Sequence, residues 1–392
     1  MTAVGSIGAR RLARVDRWGA VTRDDMDWRL DWWIGADDRW RIPTRETTVR
    51  QRLIDDAPVV ETAMRVPGGD ARQRAYGVGD AGELVAVEVE NASPAPFVVA
   101  LVVRGARHVA VRDATVLVDG RPALAFGRRV SRWAAGADGR TEMRVVTGKA
   151  EDGEFRARRD RAGRLEAAFL HPVAHRTTLR AAVVLGRVDP TTVDVTALPS
   201  AEDAARGWAA QLRRGMQVDL PDERLARAVR RARAALLLES SPRRPRAELV
   251  AALEDWGFDT EAAQAWERLS TRGRRAAARR ADVPPVWSEV DARSGDTAEF
   301  LLALRAALVH EGADGAVTLL ASLPRDWRGR PLEVDRAPTR HGPVSFALRW
   351  HGERAALLWD APAGVPLRAP ALDPRWTSTE PSGEVLLATS LR

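Results

Sequence analysis

The stretch PDERLARAVRRARAALLL, residues 221–238, decides the fold class of this chain. Its apolar residues Leu225, Val229, Ala232 and Leu236 recur at intervals of four, three and four, which places them on one face of an α-helix. On both sides of this helical middle, apolar and polar residues instead alternate with the period of two that is typical of strands. Successive blocks of strand, helix and strand predict separate domains rather than the regular alternation of an α/β fold.

The sequence before the helical middle predicts a β-sandwich. In residues 83–90 the valines fall on one face of a strand, and Leu84, Ala86, Glu88 and Glu90 fall on the opposite face. The dipeptide Asp119-Gly120 lies between two short apolar runs, which is the signal of a hairpin with a type I′ turn. Many short strands separated by Gly, Asp and Pro turns are typical of a sandwich. Further strands are predicted at residues 97–103, 115–118, 122–126, 141–146, 164–170 and 177–185.

Helix-capping signals and breaks set the predicted domain boundaries. Ser200 with Asp203 opens a helix over residues 200–216, and Asp296 with Glu299 opens another that we expect to end at Gly312. The prediction is a multidomain α+β protein. It divides into a β-sandwich domain (1–199), a linker helix (200–221), a partial helical-hairpin domain (222–312) and a small antiparallel C-terminal β-domain (313–392).

The composition excludes several classes of site. Cysteine is absent from the 392 residues, so there is no disulfide, no thiolate metal site and no cysteine nucleophile. The chain has no Walker pattern and no dinucleotide-binding fingerprint, and its six histidines are scattered, so we predict no cofactor and no metal. Neither a signal peptide nor an apolar run of membrane-spanning length is found. We therefore expect a cytoplasmic protein with no membrane partner.

The formal net charge of +7 does not by itself predict a nucleic-acid-binding protein. Lys149 is the single lysine, and the arginines are spread along the chain. The densest cluster, residues 272–280, lies in an Ala/Arg helix with no aromatic residue interleaved for base stacking. A solvated helix face explains this cluster better than a nucleic-acid patch does. A basic nucleic-acid-associated protein stays as a third alternative, supported only by the net charge.

Two stretches carry a resemblance to a known family. The first is the run Leu323-Pro324-Arg325-Asp326-Trp327 between apolar strands, followed by Gly342-Pro343-Val344-Ser345-Phe346. The second is residues 253–263, in which a helix ends at Trp256-Gly257-Phe258 and the next helix follows at once. Together with the order of the domains, these stretches resemble the six-hairpin glycosidases, the glucoamylase-like (α/α)-barrel enzymes. The resemblance implies a sugar-binding mouth near Trp256 and a small β-domain that closes the chain.

The helical middle is too short for a complete barrel of that family. Six hairpins, at roughly 12 residues per helix and about 5 per loop, need on the order of 200 residues. Residues 222–311 supply 90, which is enough for about five helices. We therefore predict an abbreviated relative, a glycoside-hydrolase-like carbohydrate-active protein that is degenerate in catalysis. Whether it is an enzyme stays open at this point.

If the protein is an enzyme, it would be a glycoside hydrolase that uses a pair of carboxylates. Such a pair lies roughly 5 Å apart in retaining enzymes and about 6.5–9.5 Å apart in inverting ones. The alternative for each candidate is an ordinary surface residue or a helix cap. The catalytic candidates are Glu254 and Asp255, which lie beside Trp256 at a helix end, and Glu239, with Glu289 and Asp291 as further carboxylates after Trp287.

A Trp-rich segment, residues 28–40, supports a second function. Four tryptophans interleave there with Asp and Arg, as they would in a ledge that stacks and hydrogen-bonds a sugar. The competing interpretation is a buried strand face, because Trp28, Leu30 and Trp32 alternate. The second hypothesis is a non-catalytic module that binds an oligosaccharide, a glycan or a protein through this segment. The predicted substrate-binding residues are Trp32, Trp33, Trp40 and Trp256.

Overall fold

The computed structural model describes residues 1–79, 84–137, 139–186, 193–242, 244–277, 287, 290 and 295–387. The chain is a mixed α+β protein that forms two compact units, Met1–Gly207 and Trp208–Arg392. Within the described residues, no helix is both long and apolar enough to cross a membrane. The boundary between the units falls near the predicted linker helix. The division of the second unit into a helical domain and a β-domain stays a prediction.

The first unit consists almost entirely of short strands, with one short helix among them. Its helix is α1 (Arg140–Val146), and the chain leaves the unit through α2 (Ala201–Leu212). The strands are β1 (Thr2–Val4), β2 (Ala13–Val15), β3 (Val21–Arg23), β4 (Arg29–Gly35), β5 (Trp40–Arg41), β6 (Arg50–Leu53), β7 (Val59–Val66), β8 (Gly69–Val78), β9 (Leu84–Ala92), β10 (Phe97–Ala106), β11 (His108–Arg112), β12 (Thr115–Val118), β13 (Arg121–Phe126), β14 (Arg132–Ala137), β15 (Glu151–Asp152), β16 (Arg158–Arg159), β17 (Leu165–Val173) and β18 (Thr178–Val184).

These strands form the predicted β-sandwich. One sheet has the order β1-β2-β3-β4-β10-β17-β14-β15, with β5 beside β4, and the other has the order β16-β11-β12-β13-β18-β9-β8-β7-β6. Alternate residues of both sheets share one core, to which β4 contributes Leu30, Trp32 and Ile34. Its neighbour Trp33 points to the opposite face and joins a smaller apolar cluster with Val145 of α1. The period-two pattern therefore separates two buried surfaces along a single strand.

Local turn chemistry confirms one prediction in this unit and overturns another. Asp119 and Gly120 both have positive φ, 52° and 78°, as a type I′ hairpin turn requires. The strand predicted at residues 141–146 is wrong, because this segment is the helix α1. Gly139, with a φ of 77°, turns the chain into the helix. Burial of Val145 against the outer face of the sheet then outweighs the strand propensity of Thr and Val.

The second unit combines a group of helices with two small sheets. The sheet orders are β19-β22-β23-β24-β27 and β20-β21-β25-β26. Its helices are α3 (Glu223–Leu238), α4 (Ala247–Asp255), α5 (Asp259–Arg268), α6 (Thr271–Ala277) and α7 (Thr297–Leu308). Its strands are β19 (Gln217–Asp219), β20 (Val309–Glu311), β21 (Val317–Leu319), β22 (Leu332–Ala337), β23 (Val344–His351), β24 (Arg354–Asp360), β25 (Leu367–Ala369), β26 (Asp373–Ser378) and β27 (Ser382–Leu387).

Capping residues explain where several of these helices begin. Ser200 and Asp203 bond reciprocally, with Ser200 Oγ accepting the Asp203 N–H and Asp203 Oδ2 accepting the Ser200 N–H, so the predicted capping box is confirmed. The Asp296 carboxylate accepts the N–H of Ala298 at 3.0 Å and caps α7 as predicted. This helix nevertheless ends four residues before Gly312, because Val309 pairs with Leu319 in a sheet.

The C-terminal sheets are antiparallel except for one pair. Strands β21 and β25 run parallel, with Val317 opposite Leu367. A parallel pair needs a long crossover, and residues 320–366, which contain β22, β23 and β24, supply it. The antiparallel description of this region is therefore right for its other strand pairs and incomplete at this one.

Candidate functional site

The helical carboxylates lie at two helix ends. Glu254 and Asp255 are the last residues of α4 and are half-buried, and Glu239 follows α3 and is exposed. Consecutive residues of a helix do not face each other, so Glu254 and Asp255 do not converge on one bond between them. All three carboxylates interact with other residues. Their catalytic role stays a prediction, and Glu289 and Asp291 lie outside the described residues.

Trp256 is a packing centre of the second unit. Its side chain is 0% exposed, and its indole Nε1 donates a hydrogen bond of 3.0 Å to the carbonyl of Leu301 in α7. The guanidinium of Arg233 lies 5.4 Å from the ring centroid. The Trp256 carbonyl accepts the N–H of Met216 at 3.0 Å, and a Cβ on Gly215 would come within 2.2 Å of the same oxygen. A ring enclosed in this way offers no open face to a sugar.

The tryptophans of the Trp-rich segment are mostly buried as well. Trp32 is 1% exposed and faces the sandwich core, where its Nε1 donates to the Trp18 carbonyl at 2.9 Å. Trp33 is 0% exposed on the opposite face. Trp40 is half-buried and covers Gly35. The burial of Trp32 and Trp33 favours the core-filling interpretation, whereas Trp40 keeps part of its ring open. A substrate-binding role for these residues is still a prediction.

The first unit has a groove where several strand ends of one sheet meet. Its volume is about 450 Å³, within the range of small-molecule sites. We call it the strand-end groove. The loop between β3 and β4 forms one side, and the end of β10 with the start of β17 forms the other. The residues that line it are Thr22, Met26, Asp27, Trp28, Arg29, Arg104, Gly105, Arg164 and Glu166.

A β-bulge at Gly105 shapes this groove. The register between β10 and β17 shifts between Arg104 and Ala106, so one extra residue of β10 lies opposite the partner strand. Gly105 occupies the extra position with a φ of 90°. A Cβ there would lie 2.8 Å from the carbonyl oxygen of Asp27 in the facing loop. Glycine is therefore required for both the backbone conformation and the close approach of the loop.

Arg104 links two buried carboxylates across three neighbouring strands. Its Nε donates to Glu166 Oε1 at 2.7 Å, and its NH1 donates to Asp31 Oδ2 at 3.0 Å. Burial disfavours the charged form of Arg104, but the bonds and charges of Asp31 and Glu166 outweigh it and raise the pKa of Arg104. Asp31 also lies 3.1 Å from Arg29 Nε. The register places Arg29, Arg104 and Glu166 side by side, which fixes the order of charges along the groove.

Two carboxylates keep hydrogen-bonding capacity at the groove. Glu166 is 7% exposed, and its Oε2 has no hydrogen-bond partner in the part of the chain that the structure describes. A buried acceptor without a donor costs about 1–3 kcal/mol. Asp27 is exposed and has no ion-pair partner among the described residues. Arg164 Nε, by contrast, lies 3.8 Å from Asp160. The arginine donors of the groove are therefore held in ion pairs, whereas the Asp27 and Glu166 carboxylates can still accept hydrogen bonds.

The sequence did not predict the groove, but it did predict two of the strands that form it. The strands at 97–103 and 164–170 were predicted, and Arg29 belongs to the Trp-rich segment. Charged residues at the ends of otherwise apolar strands, Arg104 and Glu166, are the one signal that points to the groove. Among the described residues, no group of three or more His, Asp or Glu side chains is placed to hold a metal ion.

Comparison with known proteins gives distant structural likenesses. No protein-family model matches the sequence, and no curated protein matches it. The fold is similar to that of a family GH92 alpha-mannosidase from Bacteroides thetaiotaomicron, with a TM-score of 0.27 and 10% identity over 61% of this chain. A structure described as the complex of that enzyme with mannoimidazole matches with a TM-score of 0.21 and 9% identity, again over 61% of this chain. The matches span 39% and 31% of those two chains.

Proposed function

We propose that this protein binds carbohydrate through the strand-end groove. The observation that carries the proposal is the mixed lining of the groove, in which arginine donors and carboxylate acceptors lie together around a volume of about 450 Å³. A sugar hydroxyl both donates and accepts hydrogen bonds, so a ring with several hydroxyls satisfies both kinds of group at once. A purely apolar ligand, or a ligand whose polar groups are only donors or only acceptors, would leave part of the lining without a partner.

We also propose that the chain is an abbreviated relative of six-hairpin glycosidases and is degenerate in catalysis. Its support is the order of sandwich, helices and C-terminal β-strands, together with the divergent directions of Glu254 and Asp255 on α4. A cytoplasmic location is also part of the proposal, and its support is the absence of cysteine.

Calorimetric titration with oligosaccharides tests this function. The ligands are tetramers of glucose, mannose, glucosamine and N-acetylglucosamine, and the variant is Asp27→Arg, which reverses an exposed charge at the groove. The matched control is Asp152→Arg, because the Asp152 side chain is 80% exposed in the same unit and does not line the groove. We expect the wild type and the control to bind at least one tetramer equally, and Asp27→Arg to bind it at least about tenfold more weakly.

Two results would overturn the proposal. The first is that the wild type binds none of the four tetramers. The second is that Asp27→Arg binds as tightly as the control, which would place any sugar site outside the groove. Thermal unfolding of each variant shows whether a loss of binding follows from a loss of folding.

A further inference from the structure

The arginines of the strand-end groove are already neutralised by carboxylates of the chain. Arg29 pairs with Asp31, and NH1 of Arg104 lies 3.0 Å from the same carboxylate. The NH2 of Arg104 lies 2.7 Å from Glu166 Oε1, so this guanidinium is shared between two acids. The third arginine of the lining, Arg164, lies within ion-pair distance of Asp160. An anionic ligand would have to compete with these internal partners.

The acceptors at the groove outnumber their partners. Glu166 Oε2 is buried without a donor, and Asp27 has no cationic partner among the described residues. The lining itself carries three guanidinium groups and two carboxylates. When Asp31 and Asp160, the ion-pair partners of the lining arginines, are counted with them, four carboxylates and three guanidinium groups give a formal charge of −1, whereas the whole chain carries +7. The guanidinium groups of the groove are therefore already engaged in ion pairs, and the groups that still need a partner are carboxylate acceptors.

We propose that the strand-end groove selects a carbohydrate that carries a protonated amine, that is, a 2-amino sugar that is not N-acetylated. This inference rests on the proposed carbohydrate-binding function. An ammonium group donates three hydrogen bonds and accepts none, which complements Glu166 Oε2 and the Asp27 carboxylate. Charge-assisted hydrogen bonds are roughly twice as strong as neutral ones, so the amine outweighs a hydroxyl at the same position. An acetamide group has no positive charge and adds bulk.

The net charge of the protein makes the selection easy to distinguish from general electrostatics. A chain with a charge of +7 repels a polycationic oligosaccharide at long range. Tighter binding of the cationic sugar than of its neutral counterpart must therefore arise from a local acidic site. Added salt would weaken the local attraction and the general repulsion together, so variants at the site give the clearer comparison.

The experiment is a calorimetric titration of the full chain with glucosamine tetramer, N-acetylglucosamine tetramer and cellotetraose. We expect the glucosamine tetramer to bind at least about tenfold more tightly than the other two. This preference should be lost in Asp27→Asn and in Glu166→Gln. It should persist in the matched control Asp152→Asn, which removes an exposed carboxylate outside the groove. Asp27 is exposed, so its variant keeps the test valid even if Glu166→Gln is less stable.

The outcomes separate the two proposals. Equal or tighter binding of N-acetylglucosamine tetramer or cellotetraose, lost in Asp27→Arg, would overturn the amino-sugar selection and leave the groove as a carbohydrate site. A glucosamine preference that survives in Asp27→Asn and Glu166→Gln would also overturn the selection by this groove. Binding of none of the three tetramers would overturn the amino-sugar selection, and the carbohydrate proposal would fall with it if the mannose tetramer does not bind either.

Discussion

The Trp-rich segment at residues 28–40 and the helical stretch at residues 253–263 use similar residues in different ways. Both enclose tryptophan rings, since Trp32, Trp33 and Trp256 are at most 1% exposed. In the first, the strand continues to a sheet end where charged residues of three strands meet at a groove. In the second, Trp256 joins α4 to α7 and to the turn after α2. Tryptophan thus fills the core in both stretches. The charged side chains that line the groove lie instead where the ends of the strands meet.

The strongest test of this contrast is Trp256→Ala. The change removes a fully buried ring and its hydrogen bond to Leu301, and we expect it to lower the free energy of unfolding by about 3–5 kcal/mol. Urea unfolding followed by circular dichroism measures the loss. Trp40→Ala, which removes a half-buried ring, is the control and should cost less. An unchanged unfolding midpoint together with weaker sugar binding would make Trp256 a ligand-binding residue instead.

The sandwich contains a buried group that makes its stability depend on pH. Burial, and then the charge of Arg128, lowers the pKa of His171 from 6.5 to about 4. The unfolded chain therefore takes up the proton first as the pH falls. The stability of the sandwich is full above pH 6.5, and we expect it to decrease by about 3 kcal/mol as the pH falls to about 4.

Urea unfolding of the wild type and of His171→Leu between pH 7.5 and pH 4 isolates this contribution. The variant has no imidazole to protonate, so its stability should decrease less over the interval in which His171 titrates. Equal losses in both proteins would mean that His171 does not control the acid response of the sandwich.

Gly105→Ala tests whether the bulge shapes the groove. A Cβ at this position would meet the Asp27 carbonyl at 2.8 Å, on a backbone with a φ of 90°. We expect a loss of about 1–3 kcal/mol in stability, together with weaker binding of the sugar ligand, because the loop must move. The matched variant Gly79→Ala has a similar φ of 96° with no atom of the described residues within 4 Å, so it serves as the reference for backbone strain. Identical effects of the two variants would show that close approach at Gly105 is unimportant.

The smallest expected effect concerns the N-cap of helix α3 in the second unit. The Asp222 carboxylate accepts the N–H groups of Arg224 and Leu225 at the start of α3. Asp222→Ala should therefore cost about 1 kcal/mol, measured as a shift in thermal unfolding. Asp222→Asn keeps the capping oxygen and should restore most of the loss. Binding of sugar should be unaffected in both variants, and a change there would contradict the separate roles of the two stretches.

The sequence was sufficient for features that depend on near neighbours. The type I′ turn at Asp119-Gly120, the capping box at Ser200 and the cap at Asp296 each need only residues within three positions of one another. Alternation within single strands predicted the sandwich for the same reason. The helix α1 was missed because its seven residues have strand-like propensity, and their packing on the sheet decides the conformation.

The groove could not be predicted from the sequence because its residues are distant along the chain. Arg104 and Glu166 are 62 positions apart, and Arg104 and Asp31 are 73 apart. Their meeting depends on the pairing of β10 with both β4 and β17, which no local pattern specifies. The tryptophan rings of the Trp-rich segment were the reason for predicting a sugar-binding site there. The charged residue of that segment that lines the groove is Arg29.

We propose the strand-end groove, and not the helical stretch, as the ligand site of this protein. Hydrogen–deuterium exchange of the full chain with and without glucosamine tetramer tests it most directly, because exchange reports each backbone segment separately. We expect slower exchange on ligand addition at residues 26–29, 104–106 and 164–166, with residues 253–263 unchanged. Slower exchange confined to residues 253–263, or no change in any segment at saturating ligand, would contradict it.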